Sequence, residues 1–150
     1  MPSRHSSRER AVQILYQLDM RKQEEVDEAI AAFYGTLSSS GAHPADLEEQ
    51  DAFMEDLVRG TIRQLAGIDL LIAGHSANWR IERMPAVDRN ILRCAVYEMR
   101  YLGTPAPVAI DEALELARRF SGDDSVAFVN GVLDAVSKST IIRTKESDSG

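Results

Sequence analysis

Apolar residues recur three and four positions apart through most of this chain, the period of amphipathic helices. Ala11, Ile14, Leu15 and Leu18 form the first stripe, with Ser6 or Ser7 placed to cap its helix. Val26, Ala29, Ile30, Phe33 and Leu37 predict a second, short helix over about 25 to 37. The stretch "SSSGAHPAD" reads as a loop by composition. Asp46 with Glu49 has the spacing of a capping box, and Glu48 and Asp51 suit the positive end of the helix dipole. Leu47, Met54, Val58, Thr61, Leu65, Ile68 and Ile72 continue the pattern, with a break or kink expected at Gly67.

"SANWRIERMP" predicts a connector, and Pro85 suits the first turn of the helix that follows. That helix, about 85 to 102, is apolar around much of its circumference, as a central helix is. "GTPAP" separates it from a helix over about 107 to 120, with Ala109, Ile110, Ala113, Leu114, Leu116, Ala117 and Phe120 on one side. Val126, Val129, Val132, Leu133 and Val136 predict a last helix over about 124 to 138, before a frayed polar tail. No run of convincing length alternates with the strand period. The expected fold class is all-α.

Composition narrows the function. The 150 residues suit about one domain, and no apolar run approaches the ~20 residues of a membrane span. The one cysteine, Cys94, lies in an apolar run and reads as a buried hydrophobe. The expected location is the cytoplasm. A formal net charge of −7 argues against a protein that coats nucleic acid unaided. The opening "MPSRHSSRER" is nevertheless basic, a local arm compatible with RNA if other cations come from elsewhere.

Catalytic patterns are missing. His5, His43 and His75 have no companions at metal-ligand spacing, and no phosphate-binding glycine loop or nucleophile elbow is present. No cofactor or metal is expected, and the paired Asp123 and Asp124 are explained by a helix start. A binding module is the stronger reading. Arg89, Arg93 and Arg100 share a narrow sector of the central helix, either a solvated face or a partner surface. Phe128 lies at least ~40° outside the valine arc, as the flank of a core or as a stacking platform beside Asp124 and Ser125. Asn130 and Gly131 are expected to face inward, where a neighbouring backbone comes close.

Four blocks in order, "AVQILYQLD", "MPAVDRNILRCAVYEM", "PVAIDEALELARRF" and "DDSVAFVNGVLD", resemble the NusB family from about residue 4 to 138. The resemblance implies about seven helices in one domain of two small subdomains, over about 4–75 and 80–138, with a polar tail at 139–150. It implies an antitermination role, in which the chain pairs with the ribosomal protein NusE on the boxA element of nascent ribosomal or phage RNA. The pair joins a complex that keeps RNA polymerase elongating.

Position by position, the resemblance implies RNA contacts at Arg4, His5, Arg8, Glu82, Asp124, Ser125 and Phe128, and a NusE-facing surface at Asp88, Arg89 and Arg93. Ser76 stands where some members carry an RNA-contacting tyrosine; Trp79 is either its substitute or an anchor between subdomains. Two other readings accompany this one. One is an RNA-facing accessory domain like those of rRNA methyltransferases, without catalysis of its own. The other is a homodimer that masks its RNA surface until a partner arrives.

Overall fold

The computed structural model describes residues 3–39, 50–76 and 80–149, with side chains over 3–37, 50–76 and 80–139. Seven α-helices and one 3-10 turn are present among them, and no strand. The chain divides between Arg63 and Gln64 into two compact units.

The first unit holds α1 (Arg4–Met20), α2 (Val26–Ser39) and α3 (Ala52–Arg63), with α1 packed on both others. Ala11, Ile14, Leu15, Ala29, Ile30, Met54 and Val58, from the stripes that the spacing predicts, are buried, and Leu57 with them. Each such aliphatic side chain contributes about 1.5–3 kcal/mol on burial. Helix α1 begins earlier than expected. Ser3 is its cap, its Oγ accepting from the Ser6 amide at 3.1 Å, so the basic leader is the first turns of a helix and not a free arm. The Asp46–Glu49 capping box lies outside the described residues. The cap seen for α3 is Asp51, which accepts from the Met54 amide at 3.0 Å, from Ser7 Oγ at 2.6 Å and from Arg10 Nη1 at 3.2 Å. Tyr34 completes this cluster, accepting from the Asp51 amide at 2.9 Å and donating to Glu55 Oε2 at 2.8 Å.

The second unit holds α4 (Leu65–His75), the 3-10 turn (Ile81–Arg83), α5 (Ala86–Tyr101), α6 (Ala106–Phe120) and α7 (Asp123–Ser149). Helix α5 is its centre, buried without interruption from Asn90 to Glu98 and packed by α4, α6 and α7. The break after α3 falls at Gln64 and not at Gly67, which stays helical near the hydroxyl of Tyr101. Ile68 and Ile72 bury α4 in this unit, so the division between the compact units precedes α4. The tail expected to fray continues α7, with no glycine or proline after Gly131 to stop the helix before Ser149.

Candidate nucleic-acid interface

The second unit carries a cleft of about 260 Å³ lined by Pro85, Asp88, Asp124, Ser125 and Phe128. Its walls follow from a tight turn. The amides of Ser121 and Gly122 both donate to Ala117 O, at 2.9 and 3.0 Å, which closes α6. Gly122 then takes φ +136°, a conformation that L side chains rarely adopt, and α7 starts at once. Phe128 stands three residues after Ser125 and four after Asp124, so all three lie on one stripe of α7.

Asp88, in the first turn of α5, ties this corner together. Ser121 Oγ donates to its Oδ1 at 2.7 Å, and Ser125 Oγ donates to its Oδ2 at 2.8 Å. Pro85 ends the connector at the cleft edge as the residue before α5. Phe128 is half-buried and Asp124 exposed, so the cleft offers a ring beside an accessible carboxylate. An aromatic face with hydrogen-bonding groups at its edge can hold an unstacked base.

In the first unit, the basic residues are ordered by an aromatic ring. Arg4 Cζ lies 4.4 Å from the Phe53 ring centroid, and Arg8 Cζ lies 5.4 Å from it. Arg4 is exposed and His5 half-buried, whereas Arg8 is only 6 % exposed. Most of the Arg8 surface is therefore spent on packing within the unit. Glu82 is exposed in the 3-10 turn.

The expected partner surface is held mostly inside the second unit. Asp88 is 2 % exposed and is occupied by the two serines. Arg93, 8 % exposed, grips Asp69 with Nε and Nη2 and reaches Asn90 Oδ1 at 3.3 Å. Arg89 donates to the carbonyls of Ile81 and Met84 at 3.2 and 3.4 Å, which fixes the connector onto α5. These contacts engage Asp88 and Arg93 within the unit. The expectation for Asn130 and Gly131 is corrected: both are exposed, and a Cβ at Gly131 would meet nothing within 4 Å. Ser76 is buried, and Trp79 lies outside the described residues.

Sequence reasoning missed Pro85, Ser121 and Phe53. The four-residue spacing of Ser121 and Ser125 was the available signal for the first corner, but their acceptor is 33 positions away from Ser121. No group of three metal-ligating side chains occurs among the described residues, and no helix there is long and apolar enough to cross a membrane.

Comparison with known proteins places the chain in a family. Residues 5–138 match the NusB family. The transcription antitermination protein NusB of Solibacter usitatus is 60% identical over 136 residues, covering 91% of this chain and 89% of the relative. That of Koribacter versatilis is 47% identical over 138 residues, with 91% and 89% covered. T. maritima NusB is similar in structure at a TM-score of 0.74 and 31% identity, covering 91% of this chain and 92% of that one. A chain in the crystal structure of antitermination factors NusB and NusE in complex with dsRNA gives 0.74 at 27% identity, with 91% and 96% covered. The match over residues 5–138 and the identity to these relatives show that the chain belongs to the NusB family.

Proposed function

We propose that this protein is a transcription antitermination factor that binds boxA RNA of nascent transcripts jointly with NusE. The observation that carries the reading is the cleft in which Phe128 stands beside Asp124 and Ser125. Its support from relatives is the shared name of the curated proteins and the assembly of NusB and NusE with dsRNA. The charge balance supports a joint site as well. A chain of net charge −7 gains little from phosphates alone, and a basic partner supplies the missing cations.

The role is binding and not catalysis, in the cytoplasm, as part of an RNA polymerase elongation complex. In the second unit Phe128 stacks a base, Asp124 and Ser125 face its edge, and Glu82 is a further RNA contact; in the first unit Arg4, with His5 and Arg8, meets phosphate. Of the three residues expected to face NusE, the half-buried Arg89 is the one kept as a contact. Size-exclusion chromatography with NusE, with and without boxA RNA, tests partner, stoichiometry and self-association together. A ternary peak is expected. Separate elution of all three components overturns the proposal.

A further inference from the structure

Resting on the RNA-binding reading, we infer that the 3-10 turn ahead of α5 is a phosphodiester-binding site, with Arg80 and Arg83 as its two cations. The Arg83 amide donates to Arg80 O at 3.0 Å, and the Met84 amide to Ile81 O at 3.3 Å, which closes the turn. Residues of a 3-10 turn rise by ~2.0 Å each and repeat every three, so the two arginine stems leave the backbone roughly 6 Å apart. Consecutive phosphates along one RNA strand have a similar separation. Both side chains are exposed, and among the described residues no hydrogen bond, ion pair or ring contact engages either guanidinium. Glu82, between them, is exposed as well and pairs with neither.

The backbone under these arginines is fixed, which separates them from cations on a loose loop. Arg89 reaches back from the start of α5 and donates to the carbonyls of Ile81 and Met84. Met84 itself is 3 % exposed and anchors the end of the turn in the core of the second unit. One arginine thus holds the turn, and two stand on it with charge to offer. An arginine whose backbone is already placed loses less freedom on binding, and its planar fork matches two oxygens of a phosphate.

Phosphate is the anion that the position favours. Pro85, two residues beyond Arg83, lines the cleft, whose polar side chains are those of Asp88, Asp124 and Ser125. None of these is a cation, so a strand whose base enters the cleft finds no partner for its phosphates on that wall. The connector supplies the charge from the side of Pro85. An acidic peptide would answer the arginines alone, whereas a nucleotide chain brings a phosphate for the turn and a base for the cleft.

The test uses the full chain with NusE and boxA RNA, titrated by fluorescence across a series of salt concentrations. Each phosphate contact on a single strand contributes ~0.7 to the slope of log affinity against log salt. The double variant Arg80→Gln with Arg83→Gln is therefore expected to lose about 1.4 of that slope, and each single variant about half as much. Arg80→Lys with Arg83→Lys should keep the slope, because lysine preserves the charge. Lys138→Gln removes one charge ten residues beyond Phe128 on α7 and should leave the slope as it was. An unchanged slope in the glutamine double variant overturns the inference, as does an equal fall in Lys138→Gln, which would mark a response to net charge alone. Loss of the NusE complex in gel filtration without RNA also overturns it, by assigning the arginines to the protein partner. No RNA binding by the unaltered pair sinks the antitermination reading itself; binding with the slope intact in the double variant sinks this site alone.

Discussion

Arg93 and Asp69 meet in a two-point ion pair, Nε to Oδ1 and Nη2 to Oδ2, both at 2.9 Å. The pair joins α4 to α5, with the guanidinium largely buried. A lysine in its place keeps the charge but loses the planar fork. Arg93→Lys is therefore expected to cost about 1–3 kcal/mol of stability, read from urea denaturation. An unchanged midpoint would return Arg93 to the list of residues available to a partner.

Phe128→Ala is expected to weaken RNA binding in the presence of NusE by about 1–3 kcal/mol, the worth of one stacked base. The fold should survive, because the ring is half-buried while Val129, Leu133 and Val136 fill the core. The measurement is a fluorescence titration alongside circular dichroism. Full affinity in a folded variant removes the ring from the site.

Arg4→Ala addresses the other basic feature. If Arg4 neutralises a phosphate, its loss should reduce the slope of log affinity against log salt by about one. Arg8→Ala should act differently. Its side chain is buried on Phe53, so stability falls along with affinity. Thermal melts separate the two, and identical behaviour in both assays contradicts the distinction.

Tyr34 gives the first unit an alkaline limit. Burial pushes its phenol from the ordinary 10.0 up to about 12, with the Asp51 amide pulling down and the hydrogen bond to Glu55 pushing up. The native unit thus holds this proton more tightly than the unfolded chain does. The stabilisation is complete below pH 10 and is lost as pH rises from 10.0 to about 12. Tyr34→Phe should flatten stability across that window while lowering it at neutral pH. Parallel curves for the two proteins would show that the phenol is not the titrating group.

Much of this was legible locally. Helical spacing located the core stripes because burial of a face imposes a period of about 3.6 residues on the residues that fill it. Phe128 stood out because it breaks that period. The inward bonds of Asp88 were not legible, since nothing local announces that two serines from a distant turn donate to an acid in a helix's first turn. Arg93 looked like part of a surface stripe with Arg89 and Arg100, since its acceptor is 24 residues away. The break at Gln64 was hidden by a glycine three residues later that packing keeps helical.

The Ser3 cap has a kinetic consequence. Because the helix is already wound at Arg4, and Phe53 already orients its guanidinium, no tail has to fold when RNA arrives. Capture then resembles the docking of a finished surface, without the heat-capacity change of coupled ordering. Encounter is governed by long-range attraction and orientation, so association should slow with ionic strength while remaining indifferent to helix-promoting cosolvents.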